Sequence, residues 1–193
     1  MQELLDVDRR LLLWLNGFHS SFMDQVMILI TRTGFWIPLY LFAGFLIFRK
    51  YGRAGWFALA GAAVAILLAD RITSGLMKPL FARLRPSHEP SLVNALHIVA
   101  NYRGGLYGFA SSHAANTFAT ATLLWLLFRE TYKWTWLIFV WAAVMSYTRI
   151  YLGVHYPGDI LTGAVIGAGS GWVGYQFFRW IRLRYDRKSA LSG

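Results

Sequence analysis

Apolar residues run through most of this chain in long blocks, with few polar positions inside them. A bilayer core of about 30 Å takes about 17–25 mostly apolar residues per helix. Five windows meet that length: Phe22–Phe48, Ala54–Met77, Ser112–Phe128, Trp134–Leu152 and Pro157–Phe178. Asp24 and Arg32 interrupt the first, and Pro38 is expected to kink it. The pattern predicts an all-α, polytopic membrane bundle of about five transmembrane helices. Ahead of them, Leu4, Leu5, Leu11, Leu12 and Leu15 fall roughly on one helical face, with Asp8 and Arg9 off it, so residues 1–21 are expected to form an interfacial helix, with a short soluble cap as the alternative. Residues 86–110 are the longest hydrophilic connection and carry Gly104, Gly105 and Gly108. Connections of that length are usually functional or disordered. The chain reads as a single membrane-embedded domain, 1–193, with a basic tail over 179–193.

Composition supports this reading. The 193 residues are 56% hydrophobic and 17% aromatic, and only 15% are charged, against about 25% in a typical soluble domain. With no cysteine, disulfides, thiolate metal sites and cysteine nucleophiles are excluded. Met1–Arg10 begins acidic, so no cleavable leader is expected. The formal charge of +10 fits cytoplasmic loops and anionic lipid better than nucleic acid, which is not an expected partner. Arg49, Lys50, Arg53, Arg129, Lys133 and the basic residues of the tail, Lys188 included, share one side of a five-span topology. The positive-inside rule sends that side, with the C-terminus, to the cytoplasm, and Lys78, His113 and His155 to the outer face.

Three polar clusters interrupt the oily background. In KPLFARLRP, Lys78–Pro86, the proline at 79 predicts a helix break near Lys78 and a new turn. If the turn persists, Lys78 and Arg85 share a face and can close on one tetrahedral anion; snorkelling cations at a span end are the alternative. In GFASSHAANTF, Gly108–Phe118, Ser111 or Ser112 can cap a helix that starts near His113, either as an anion site or as an ordinary cap. In RIYLGVHYPGD, Arg149–Asp159, Pro157 opens the last helix, with His155 just ahead of it and Asp159 in its first turn, where the carboxylate can fix the imidazole tautomer. A His-x3-Asp pair alone also suits a metal or a structural hydrogen bond. Placed together at one membrane face, these clusters offer cations, helix N-termini and two histidines, an inventory that matches phosphoryl transfer by a histidine nucleophile.

Lys78-x6-Arg85-Pro86, Ser111-Ser112-His113 and Arg149-x5-His155-x3-Asp159 resemble, in order and spacing, the three signature motifs of the type 2 phosphatidic acid phosphatase superfamily. The resemblance covers about 54–178. Where the second motif commonly reads PSGH, this chain has Ala110-Ser111-Ser112-His113, and Thr148 replaces the serine usual before Arg149. The resemblance implies that His155 is the nucleophile, oriented by Asp159, that His113 is the acid and base, and that Lys78, Arg85, Ser111, Ser112 and Arg149 hold the phosphoryl group. It implies no metal and no cofactor. The expected partner is a lipid phosphate: undecaprenyl diphosphate is favoured, with lipid A, phosphatidylglycerol phosphate or phosphatidic acid as alternatives. A lipid phosphotransferase and a non-catalytic lipid binder or transporter are the rivals.

The remaining polar residues have simpler expectations. Asp70 and Arg71 are expected as a buried pair or as support for a clamp residue. His19, His88 and His97 lack partners at useful spacing, and Arg103 is expected as a solvated loop charge. Trp134, Trp136, Trp141, Trp172 and Trp180 are expected as lipid or interface anchors. Gly163, Gly167 and Gly171 are expected to permit close packing of the last helix within the chain.

Overall fold

The computed structural model describes residues 2–191, with side chains described to Arg187, so the side chain of Lys188 in the basic tail lies outside the described part. Their regular structure is helical, with one isolated bridge, Leu84 to Tyr107, and no strand among the described residues. The helices are α1 (Gln2–Asn16), α2 (Ser21–Ile30), α3 (Ile37–Tyr51), α4 (Gly55–Asp70), α5 (Lys78–Phe81), α6 (Ser112–Phe128), α7 (Leu137–Tyr151) and α8 (Pro157–Leu191). One helical stretch, Thr33–Phe81, is long and apolar enough, by length and composition, to cross a membrane.

The centre of the fold is α8, packed on α6 and α4. Its glycines explain the closeness. A Cβ at Gly163, Gly167 or Gly171 would collide with the backbone carbonyls of Ser111, Ala115 and Ala119 on α6, and Gly174 meets Gly61 of α4 in the same way. Small residues let helix backbones approach where apolar burial alone gives no preference. Alanines 65, 69, 115 and 119 continue the seam. At the basic end of the bundle, Leu46, Leu127 and Phe178 form a bulkier core, and Lys50 Nζ and Tyr51 Oη donate to the Leu127 carbonyl at 2.7 and 2.8 Å.

Several sequence expectations change. The window 22–48 is two helices: Arg32 adopts extended backbone, a 3-10 turn covers Thr33–Trp36, and Trp36 Nε1 donates to the free Ile30 carbonyl at 2.6 Å. Pro38 therefore sits in the first turn of α3, where its missing N–H costs nothing, and kinks no helix. The backbone does not break at Lys78; α4 continues through a π-helix, Arg71–Met77, into α5. It stops at Ala82, in the left-handed region at φ 42°. Arg85 lies beyond that stop, so Lys78 and Arg85 share no helical face. Arg85 is instead set by its own N–H to the Leu106 carbonyl at 3.0 Å, beside the Leu84–Tyr107 bridge. Asp70 and Arg71 are both exposed and form no buried pair. Trp141 is half-buried against Trp36 and Tyr40, not a lipid anchor.

The N-terminal helix has two functional faces. Leu4 (74% exposed), Val7, Leu11 and Trp14 (61%) turn outward, whereas Leu12 is buried beside Ile150, Tyr156 and Ile160. The five leucines therefore do not share one face. Asn16, one turn after Leu12, donates to the carbonyls of Tyr151 (2.7 Å), His97 (3.1 Å) and Ile150 (3.2 Å) and accepts from the His97 N–H at 2.8 Å. One buried amide thus ties α1, the 86–110 connection and the end of α7 together. That connection has structure of its own: Ser87 Oγ donates to the Arg103 carbonyl and Arg103 returns a bond to the Ser87 carbonyl, each at 2.8 Å.

The seam yields a paired test. Gly167→Val is expected to lower the thermal unfolding midpoint in detergent, at a cost of about 1–3 kcal/mol for overpacking. Gly169→Ala, whose Cβ meets nothing within 4 Å, is expected to leave it unchanged; equal midpoints for the two variants would refute the close-packed seam.

Candidate active site

The three sequence clusters meet at one end of the bundle. Ser111 caps α6, its Oγ accepting from the Ala114 N–H at 3.4 Å, and its own N–H donates to the Asp159 carbonyl at 3.0 Å. The second and third clusters are therefore joined through backbone. Ser111 is fully buried and its hydroxyl serves the cap. Ser112 has a different partner: its Oγ accepts from Lys78 Nζ at 2.8 Å and lies 2.7 Å from Ser74 Oγ, which donates to Asp70 Oδ1 at 3.0 Å. Asp70 thus supports Lys78 through Ser74, which lies four residues from each.

His155 (2% exposed) and Asp159 (0%) sit at the head of α8. The His155 Nδ1 lies 3.2 Å from Asp159 Oδ2, which also accepts the Tyr156 N–H at 3.1 Å. A carboxylate there makes Nδ1 the donor and leaves Nε2 with its lone pair. Gly108 lies flat against this pair, and a Cβ there would stand 3.0 Å from Asp159 Oδ2. Burial first, then the charges of Arg85, Arg149 and Lys78, holds the His155 pKa well below the usual 6.5. The ring is neutral.

The arginines are held from behind. Arg149 donates through NH1 to Thr31 Oγ1 and through NH2 to Tyr102 Oη, both at 2.9 Å, while its Nε is buried without a protein partner. Arg85 Nε donates to the Tyr107 carbonyl at 3.2 Å, and its NH1 is likewise buried and unpaired. Gly104, at φ 66°, leaves room for that guanidinium, since a Cβ would stand 2.7 Å from NH1. His113 Nε2 is buried and unpaired too. Unpaired buried donors are costly, and an incoming anion would satisfy them. The arrangement can therefore bind a tetrahedral anion and present a neutral imidazole to it.

His113 lies where two cavities meet. One, of about 550 Å³, is lined by Arg32, Tyr102 and Arg149. The other, of about 450 Å³, runs into the bundle past Asn116, Thr117, Ile66 and Leu124. Sequence reasoning placed Arg32 inside a span, but the break after α2 brings it to the first cavity. It also missed Arg83, whose NH1 donates to Asp159 Oδ1 at 2.9 Å and whose NH2 donates to Asp8 Oδ2 at 2.7 Å. Arg83 is two residues from Arg85 on an extended strand-like segment, the one local signal that both point toward the same region. Away from the site, His97 Nε2 lies 2.9 Å from Asp24 Oδ1 and its ring stacks on His19 at 3.8 Å, so both histidines do have partners. His88 lies 3.4 Å from the Gly104 carbonyl, and Arg103 closes the loop described above.

The PAP2 superfamily model matches residues 55–183. A lipid A 4'-phosphatase from Bacteroides thetaiotaomicron is 40% identical, across 98% of this chain and 85% of that protein. An undecaprenyl-diphosphatase from Sulfolobus acidocaldarius is 28% identical, across 83% of this chain and 72% of that protein. Among solved structures, a transmembrane PAP2-type phosphatidylglycerolphosphate phosphatase from Bacillus subtilis superposes with a TM-score of 0.67, covering 95% of this chain and 88% of that one. At 19% identity, that likeness is one of fold.

The charge environment of His155 is directly measurable. In a nitrogen-15 histidine titration, with the His155 signals assigned by a His155→Asn variant, the ring is expected to stay neutral as pH falls through 6.5 and to protonate only below it. Protonation at or above 6.5 would contradict the burial and the three cations.

Proposed function

The chain belongs to the PAP2 superfamily and is a lipid phosphatase, and on that premise we propose that it removes a phosphate from a lipid A-type phosphoglycolipid through a histidine-bound phosphoryl intermediate. The observation that carries the chemistry is the set of buried, unpartnered nitrogens of Arg85, Arg149 and His113, together with His155, whose free nitrogen is set by Asp159. Neutral Nε2 of His155 attacks phosphorus, and the bond to the lipid oxygen breaks as His113 protonates it. Water, deprotonated by His113, then cleaves the P–N bond, releasing phosphate and restoring His155. Lys78, Arg85, Arg149 and the first free N–H groups of α6, at Ser112 and His113, offset the charge on the phosphoryl oxygens. Ser112 Oγ contributes by aiming Lys78, and Ser111 by capping the helix.

The substrate assignment shifts from undecaprenyl diphosphate to lipid A. The relative named for lipid A is the more similar and is matched over more of this chain. The cavity below His113 supports the same choice: beside its apolar walls it carries Asn116, whose Oδ1 has no protein partner, Thr117 and Thr120. Such a polar stripe suits the amide and hydroxyl groups near the head of an acylated sugar better than a pure isoprenoid. Undecaprenyl diphosphate is the second reading, supported by the more distant relative.

We place the site at the outer face of a bacterial-type inner membrane, with five spans, 1–193 as one unit and the C-terminus in the cytoplasm. The support is the basic end of the bundle, where Lys50, Arg129, Arg179 and Arg182 lie, opposite the end that holds His155. Because the chain has no native cysteine, single cysteines test this cleanly. A membrane-impermeant maleimide added to intact cells is expected to label Gly105→Cys and not Arg187→Cys; the reverse pattern inverts the topology.

Phosphate release from lipid A, undecaprenyl diphosphate, phosphatidylglycerol phosphate and phosphatidic acid in detergent tests the rest. Lipid A is expected to be hydrolysed fastest, and EDTA to have no effect. His155→Ala and His113→Ala are each expected to fold and to lose turnover on the order of 1,000-fold or more. Near-wild-type hydrolysis by His155→Ala removes the mechanism, and faster release from undecaprenyl diphosphate reverses the substrate choice.

A further inference from the structure

The fully buried carboxylate of Asp159 is held by a residue at a position that the first motif leaves unspecified, and that residue is held in turn by the N-terminal helix. Arg83 spans two carboxylates, with NH1 on Asp159 Oδ1 at 2.9 Å and NH2 on Asp8 Oδ2 at 2.7 Å. Its guanidinium lies 3.9 Å above the Tyr156 ring. Asp8 also accepts, through Oδ1, the Gly158 N–H at 2.7 Å. A Cβ at Gly158 would stand 2.9 Å from Asp8 Oδ2, so that glycine is what lets α1 approach the first turn of α8. Asp8 therefore grips both the backbone and, through Arg83, the side chain of the turn that carries Asp159.

The two oxygens of Asp159 have different duties. Oδ2 faces His155 Nδ1 and the Tyr156 N–H, and Oδ1 faces only Arg83 among its hydrogen-bond partners. A carboxylate fixed at both oxygens cannot rotate about its Cβ–Cγ bond. Fixing it fixes the imidazole plane, and with it the direction of the Nε2 lone pair. A planar, forked donor suits this bridge and a lysine does not. Asp8 keeps Arg83 from leaving Asp159 for the anion pocket two residues away, where Arg85 lies.

We infer that Asp8 and Arg83 are positioning residues for His155, so that α1, an element outside the residues matched by the family model, is part of the active site's support. The inference rests on the reading of His155 as the nucleophile. It also gives α1 a second attachment besides Asn16 and Leu12: the helix turns Leu4, Val7, Leu11 and Trp14 outward and Asp8, Leu12 and Asn16 inward. The face exposed to lipid and the face that orients the nucleophile belong to one rigid rod.

The test uses the full-length protein and the panel lipid that the unsubstituted enzyme hydrolyses, labelled on its phosphate. Single-turnover experiments separate the rate constant of phosphoryl transfer from the amplitude, which counts active molecules. Asp8→Asn and Arg83→Gln are each expected to reduce the rate constant on the order of 100-fold, as a misplaced reacting group does, with amplitude retained and KM within about twofold. The double variant is expected to be no slower than Arg83→Gln alone, because both substitutions remove the same support. Asp6→Asn, on the exposed side of α1, is expected to match the unsubstituted enzyme. A reduced amplitude with an unchanged rate constant would show that Asp8 and Arg83 serve folding only, and overturns the inference. So does an unchanged rate constant in Asp8→Asn while His155→Ala is inactive. Should His155→Ala remain active, the nucleophile reading fails instead.

Discussion

Asp159 organises the site because its charge has no access to water. A buried carboxylate is tolerated only where every lone pair has a donor and a cation stands near. Here the donors come from three parts of the chain: Tyr156 N–H and His155 from the turn before α8, Arg83 from the segment after α5, and, at the backbone carbonyl, Ser111 from the start of α6. Each of these segments belongs to one of the three polar clusters. The requirement to satisfy one acid thereby draws the polar clusters to a common point, and Arg85 and Arg149, which have no carboxylate partner, each keep a buried nitrogen unpaired.

The packing that delivers this arrangement is plain. Glycines and alanines on α8, α6 and α4 bring the backbones so close that the heads of α6 and α8 can exchange the Ser111 to Asp159 bond directly. Bulk is kept for the far end, where Phe178 and Leu127 pack. A narrow seam at one end and a full core at the other leave space between α3, α4 and α6, and the cavity below His113 occupies it.

Much of the site was legible in the sequence because the relevant distances are short along the chain. His155, Pro157 and Asp159 encode their own geometry: the proline starts the helix, and the acid one turn in reaches back. Ser111 announces a cap in the same local way. The all-helical class followed from the apolar blocks. What could not be read was set by contacts far apart in sequence. Arg83 and Asp8 are 75 positions apart, and nothing in either neighbourhood names the other. The same holds for His97 with Asp24 and for Asn16 with Tyr151. The π-helix escaped because its sequence, RITSGLM, carries no mark that distinguishes it from ordinary helix, and Lys78 with Arg85 looked like a helical pair only while Ala82 was assumed to be helical. Arg32 looked buried in a span because periodicity does not reveal that a tryptophan four residues on will cap the preceding helix.

Asn16 carries a consequence for how the chain is made. Its side chain is satisfied by carbonyls of Ile150 and Tyr151, 134 and 135 positions later. At about 5–20 residues per second, the ribosome needs roughly ten seconds to supply those acceptors after Asn16 itself has been synthesised. Through that interval Asn16 lacks the two acceptors that α7 supplies, and Asp8 lacks the Gly158 N–H. The contacts that seat the beginning of the polypeptide are thus unavailable until α7 and the head of α8 have been synthesised.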